Sequence, residues 1–186
     1  MLLPVVSIDH LQLTLDRGAV PADDQRRAAV AALVVEDRVL LMVRAARDGD
    51  PWSGHISLPG GGYQASDRDL LTTAMRETRE EIGVDLEGTR VVGNLPSLHP
   101  RSMGGAGIEV TPFVFAPLPP IVPRLGPEAV ATFWLPLRLA ASGALDGTYA
   151  YRPEMSFPCW NFEGHVIWGM TWRILVDLLA RSTRTP

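Results

Sequence analysis

The spacing of hydrophobic and polar positions changes period several times along the chain, and each change predicts an element. Ala28 to Val35 and Arg38 to Arg44 are apolar runs of strand length, split by the acidic pair Glu36-Asp37, and together they predict a hairpin. His55 to Leu58 continues extended into the glycines at 60 to 62. From 68 to 82 the period becomes helical: Leu71, Ala74, Met75, Thr78 and Ile82 recur at three- and four-residue steps and form one stripe that can bury. Ser66 or Asp67 stands where it can cap that helix, and Gly83 where a left-handed residue would end it. Thr89 to Leu95, Glu109 to Phe115 and Ala129 to Leu135 follow as strand candidates. Trp168, Trp172, Leu175, Val176 and Leu179 then place a last helix at Trp168 to Ala180.

Elements in this order predict an α/β fold, a sandwich with helices on both faces of a mixed sheet. With 186 residues the chain is expected to form one domain over 1–186: an N-terminal extension at 1–26 and a core at 27–180. The extension holds an apolar stretch, Ile8 to Leu15, read as a helix or strand, and a polar segment containing Pro21-Ala-Asp-Asp24. The proline-rich stretch from Ala116 to Pro127 reads as a stiff surface connection.

Composition narrows the function classes. Hydrophobic residues make up 46% and charged residues 20%, the balance of an ordinary soluble domain. No run is long and apolar enough to span a bilayer, and the first residues lack the basic-then-apolar order of a secretory leader, so a cytoplasmic protein without a membrane partner is expected. A net charge of -4, with no dense Lys/Arg tract, argues against a nucleic-acid partner. Cys159 is the only cysteine, which excludes an intrachain disulfide and a cysteine-built zinc site and reads as a buried thiol. Monomer and homodimer both remain open.

The candidate chemistry lies on the polar side of the 68 to 82 helix. Glu77, Glu80 and Glu81 occupy i, i+3 and i+4, which brings their carboxylates to one strip of surface. Crowded anions repel unless a cation sits among them, and their oxygens suit Mg²⁺ or Mn²⁺, which keep positions open for water and phosphate oxygens. Taken alone, the run also fits a solvated helix on which Arg76 and Arg79 pair with nearby glutamates.

The surroundings favour the metal reading. Pro59-Gly60-Gly61, an acid at the end of the loop, Arg76-Glu-x-x-Glu-Glu81 and the exit Ile82-Gly-Val84 occur together and in order, and this resembles the Nudix box of nucleotide pyrophosphohydrolases. Asp67 stands where the usual box has glutamate, and its spacing to Arg76 is one residue longer, which resembles the coenzyme A pyrophosphatase branch. Upstream, Leu40-Leu41, Arg44-Ala45 and Gly54 are similar to the motif that accompanies the box in that branch, although Asp50 occupies the region of its arginine and Arg47 lies earlier. Downstream, Val110-Thr-Pro-Phe-Val114, Glu128 ahead of Phe133-Trp-Leu-Pro136, and Ile167-Trp-Gly-Met-Thr171 also resemble it, while Trp172 stands where the branch more often has a small residue.

The resemblance implies a Nudix-type α/β/α sandwich and a metal-dependent hydrolase of a small nucleotide-diphosphate substrate, coenzyme A or its thioesters foremost. Other Nudix substrates, namely ADP-ribose, dinucleotides or nucleoside triphosphates, form the alternative. A nucleotide-sensing Nudix domain without turnover is a further one, against which the intact acidic set argues. The resemblance further implies that Glu77, Glu80 and Glu81, with the Gly60 carbonyl, hold the cation and that Arg76 orients the glutamates. Glu80 or Glu128 would accept the proton of the attacking water, and Arg44, Arg47 and Gly61 would meet substrate. His55, His99 and His165 are expected to be structural or surface residues.

Overall fold

In a computed structural model the chain is described at residues 11, 13, 16, 26–49, 52–100 and 107–182. The rest of the expected N-terminal extension, and Asp50, lie outside the described residues.

Strand β1 (Arg27–Val35) is apolar on both faces and therefore runs through the middle of the sheet. It pairs in parallel with β6 (Glu109–Ala116), with Ala29 opposite Thr111, and β6 in turn carries β5 (Arg90–Asn94) antiparallel at the edge. The expected hairpin with β2 (Arg38–Arg44) forms, but pairs only at its tip, Val34 with Val39 and Val35 with Arg38. Beyond the tip the partners change. β4 (Gly60–Gly62) pairs with β1 from Ala28 to Val30, while β2 takes β3 (Ile56–Ser57) on one side and β7 (Ala129–Pro136) on the other.

Alternation along these strands divides the interior in two. Ala29, Ala31 and Leu33 of β1, Leu40 and Met42 of β2, and Phe113 and Phe115 of β6 pack with Leu70, Leu71, Ala74 and Ile82 of α1 (Leu70–Ile82). The residues between them, Ala32, Val34, Val39, Leu41 and Val114, pack with Ile174, Leu175 and Leu178 of α3 (Gly169–Ser182). Each fully buried Leu, Ile or Phe contributes on the order of 2 kcal/mol. The expected helix-sheet-helix sandwich is thus present, with α1 fixed to one face.

Helix α1 starts two residues later than its apolar period suggested. Its cap is Asp69, extended, whose carboxylate accepts the Thr72 N–H at 2.8 Å, rather than Ser66 or Asp67. Its end is as expected: Gly83 has φ 66° and donates its N–H to the Arg79 carbonyl. The proline-rich connection is not a free surface strap. Its Arg124 and Gly126 N–H groups donate to the carbonyls of Ile82 and Glu81, supplying partners that the last turn of a helix lacks.

The period reading missed a short helix, α2 (Leu137–Ala141), and a separate three-stranded antiparallel sheet of β8 (Asp146–Arg152), β9 (Met155–Phe162) and β10 (His165–Trp168). One face of this sheet buries Trp160 and Ile167 against α3. Trp168 therefore ends a strand, and the last helix begins at Gly169, where φ is 64°. Cys159 is buried and unoxidised, as expected. Among the described residues no helix is long and apolar enough to cross a membrane.

Candidate active site

At two positions of the glycine loop nothing larger fits. Gly60 lies against β1 with φ 149°, so a side chain there would meet the backbone of Ala29 and Val30. At Gly61 a Cβ would stand 2.6 Å from the carboxyl carbon of Glu77. The loop thus passes directly over the polar face of α1. Its Gly60 N–H donates to Glu81 Oε2 at 2.8 Å.

Arg76 ties that face together. A guanidinium has five N–H donors, and all five are engaged. Nε and Nη2 donate to the two oxygens of Asp67 at 2.9 Å each, a bidentate fork. Nη2 also donates to the Gly62 carbonyl at 3.0 Å, and Nη1 to Glu77 Oε1 at 2.9 Å and Glu80 Oε2 at 3.0 Å. Asp67 is 4% exposed and additionally accepts the Gln64 N–H and the Thr73 hydroxyl. Burial alone would raise its carboxyl, but the Arg76 hydrogen bond, with those from Gln64 and Thr73, outweighs burial and holds it below the ordinary 3.8. The Asp67 fork in turn raises the Arg76 guanidinium still further above its usual range.

Four carboxylates share the resulting field. Burial, chiefly, pushes Glu81 up to about 7; the charges of Glu77 and Glu128 add to the rise, while the Gly60 N–H and the Arg44 guanidinium oppose it. Burial also raises Glu77, with Glu80 and Glu128 adding repulsion. Glu81 is 2% exposed, whereas the side chains of Glu80 and Glu128 are 53% and 42% exposed. The site therefore has a buried acid, Glu81, and two wetter ones, Glu80 on the helix and Glu128 ahead of β7.

Of the sequence-predicted residues, Glu77, Glu80, Glu81, Arg76, Gly60 and Gly61 come together in one network. Arg44 and Glu128 join it through their fields, and the backbone of Ala45 is bonded to the Glu128 carbonyl at 2.9 Å. Arg47 is bound to Glu128 at 3.2 Å, so two residues expected to act separately face each other across the loop. Sequence reading offered Asp67 as a cap, and it passed over the Gly62 carbonyl and the Thr73 hydroxyl. The signal was present, because Asp67, Thr73 and Arg76 fall on one side of the first turns once the cap moves to Asp69. Of the three histidines expected to be structural or surface residues, His165 stacks on Phe133 at 4.4 Å, His55 meets Trp168 edge-on at 5.2 Å, and the His99 carbonyl accepts from Arg173.

Among the described residues no three acidic, histidine or cysteine side chains converge as they would around a bound ion. The hydrogen bonds explain this, since Glu77 and Glu80 each turn one oxygen to Arg76 and Glu81 turns one to Gly60. The donor set nevertheless suits a hard divalent cation: oxygen ligands only, and mutual repulsion that a cation would relieve.

Comparison with known proteins identifies the family. The NUDIX domain profile matches residues 25–154. The chain is 29% identical over 188 residues to the uncharacterized Nudix hydrolase NudL of Pectobacterium atrosepticum, covering 96% of this chain and 94% of that one. It is 33% identical over 170 residues to the protein of the same name from Salmonella paratyphi B, covering 88% and 86%. Among solved structures, a MutT/nudix family protein from Enterococcus faecalis superposes with a TM-score of 0.56 at 16% identity, over 87% of this chain and 63% of the other. A C. elegans Ap4A hydrolase superposes at 0.51 and 20% identity, over 62% and 83%. The glycine loop, the helix it crosses and the length of these matches lead to one conclusion: the chain belongs to the Nudix hydrolase family.

Proposed function

We propose that this protein is a divalent-metal-dependent pyrophosphohydrolase that cleaves the diphosphate of a nucleotide derivative, with coenzyme A or its thioesters as the favoured substrate. The observation that carries the reading is the gathering of Glu77, Glu80, Glu81 and Glu128 beside a glycine loop whose N–H anchors the most buried of them. Nudix hydrolases use divalent cations, and Glu77, Glu80 and Glu81 with the Gly60 carbonyl would hold Mg²⁺ or Mn²⁺ here. When bound, the cation offsets charge on the phosphoryl oxygens and orients the attacking water.

The chain's own residues divide the remaining work. Arg76, with every N–H engaged, has none left for substrate and instead fixes Glu77 and Glu80. Arg44, whose charge acts on Glu81, and Arg47, after exchanging Glu128 for it, are the cations that a phosphate would meet. Glu80 and Glu128 are wet enough to take a proton from water and pass it to solvent, which Glu81 is not. Gly61 has no side chain to crowd the Glu77 carboxylate, beside which a phosphate would sit. Coenzyme A is favoured by the longer Asp67 spacing and by the marks at 110–114 and 167–171. Within those marks Thr111 bonds Ser97 and Thr171 bonds the Ile56 carbonyl, which fixes both segments to the sheet.

The test is turnover of coenzyme A, dephospho-coenzyme A, ADP-ribose, a dinucleotide and nucleoside triphosphates under the same Mg²⁺ conditions, with products identified. Coenzyme A should give adenosine 3′,5′-bisphosphate and 4′-phosphopantetheine at the highest kcat/KM. A much higher value for ADP-ribose or a triphosphate removes coenzyme A from the proposal, and no Mg²⁺-dependent cleavage of any diphosphate removes the proposal itself.

A further inference from the structure

The β8–β10 sheet has two unlike faces. One buries Trp160, 2% exposed, and Ile167, fully buried, against α3. The other carries Tyr149, Tyr151, Phe157 and Trp168, all only half-buried. The rings touch one another: Trp168 lies 4.4 Å from Tyr149, 5.3 Å from Tyr151 and 5.6 Å from Phe157, tilted by 33° to 38°. The segment before β3 reaches Trp168 through His55, 5.2 Å away and edge-on.

That contact connects the aromatic face to the carboxylates. Met42 pairs with Ser57 and Val43 with Ile56, and next outward the Arg44 N–H donates to the His55 carbonyl at 3.0 Å while the Arg44 carbonyl accepts the Gly54 N–H at 3.2 Å. By the pleat, Arg44, Met42, Ser57 and His55 share one face of the sheet, the face that packs on α1. Arg44 acts on Glu81 from one side, and His55 touches Trp168 on the other. Cross-strand neighbours are about 5 Å apart, so two such steps separate the aromatic face from Arg44. This is the span from a nucleobase to the second phosphorus of its nucleotide. Opposite Met42, Ser57 Oγ is buried and has no hydrogen-bond partner among the described residues.

We infer that the Tyr149, Tyr151, Phe157 and Trp168 face is a stacking site for the nucleobase of the substrate. The inference deepens the proposed function and rests on it for the position of the diphosphate. Flat apolar rings next to a phosphate-binding region suit a base, because every base has a π face, and stacking needs no charge from an acidic protein. Tyr149 and Tyr151 fall within the segment that the family profile matches, and Phe157 and Trp168 lie beyond it.

The experiment titrates the full chain, free of divalent cations, with AMP and with ribose 5-phosphate, reading tryptophan fluorescence, with Trp168→Phe as the control for the reporter. AMP should quench and ribose 5-phosphate should not, and Trp168→Phe should lose the quench. Tyr149→Leu should bind AMP about tenfold more weakly, while Tyr149→Phe, which keeps the ring, binds as wild type does. In the turnover assay Tyr149→Leu should raise KM more than it lowers kcat. If Tyr149→Leu does not fold, Phe157→Leu carries the same expectation. Equal response to AMP and ribose 5-phosphate overturns the inference, as does wild-type AMP affinity in the leucine variant. A signal that changes with protein concentration alone overturns it too, since a second copy would then cover the face. AMP binding without Mg²⁺-dependent cleavage of any diphosphate would leave the base site standing and remove the hydrolase reading. Cleavage without AMP stacking does the reverse.

Discussion

The carboxylate face of α1 and the aromatic face of β8–β10 meet at Arg44 and His55, yet they are held in place by opposite means. On α1 each group is fixed by directional bonds, and a buried Asp67 and a saturated Arg76 leave no member free to move alone. On β8–β10 the rings are held by contact with one another and no donor-acceptor pair sets their angle. Charges that must act on a reacting phosphorus have to be placed before the substrate arrives, and the fold therefore locks them. A surface that only receives a flat group can remain adjustable. Substitutions should accordingly affect chemistry or stability sharply on α1 and binding alone on β8–β10.

The largest effect belongs to Glu81. Glu81→Gln keeps the volume and an acceptor for the Gly60 N–H but removes the charge, and it should lower kcat/KM on the order of 10²–10³-fold with the fold intact. Its stability should also respond to pH. Burial holds the folded carboxyl up at about 7 against an ordinary 4.5. The metal-free folded protein thus binds that proton more tightly than the unfolded chain, and the associated stability is complete below 4.5 and lost as pH rises through about 7. Thermal melts of metal-free wild type should fall over that window, and those of Glu81→Gln should fall less. Parallel curves would remove Glu81 from the buried position assigned to it.

Next comes the loop above it. In Gly61→Ala the new methyl would stand 2.6 Å from the Glu77 carboxyl carbon, and that flexible side chain, not the backbone, has to yield. Activity should fall by about a hundredfold, the effect of an ångström-scale displacement, with a melting temperature close to wild type. A large loss of stability with normal kcat in the surviving protein would contradict the close approach.

Legibility in the sequence followed the same division. The glutamate face, the burying stripe and the Gly83 stop of α1 could be read because each depends on residues within a few positions. The cap could not be settled in that way: Asp67 and Asp69 are equally good caps locally, and only the Arg76 fork, closed across the loop, draws Asp67 away. The core strands were legible from continuous apolar runs, but the splaying of β2 from β1 beyond Val34 and Val39 was not, since glycines 60 to 62 pair there without any hydrophobic signal. The β8–β10 sheet was missed for a different reason. Its alternation at Gly147, Tyr149 and Tyr151 is real, but it is one-sided, half-exposed and broken by Pro153 and Pro158, so no run stood out.

A smaller effect is expected at Asp67. Asp67→Asn should destabilise by about 2 kcal/mol, because an amide N–H would face the donors of Arg76, Gln64 or Thr73. The wild-type carboxyl is held below 3.8, so its contribution is present above that pH and lost as pH falls through the folded value. Denaturant titrations of the two proteins should therefore differ at neutral pH and converge in acid. A collapse in turnover with unchanged stability would instead make Asp67 a participant in the reaction. The smallest effect is at the cap, where Asp69→Ala should lower stability by about 1 kcal/mol and leave kcat/KM within a factor of two or so.

The most direct measurement is the binding of Mn²⁺, followed by the electron paramagnetic resonance of the free ion, to wild type, Glu77→Gln, Glu81→Gln and a distant control, Glu154→Gln, each checked for native melting. Wild type and Glu154→Gln should bind alike, and Glu77→Gln and Glu81→Gln should bind at least about tenfold more weakly. Equal Mn²⁺ affinity in all four folded proteins would contradict the assignment of the α1 carboxylates as the metal site.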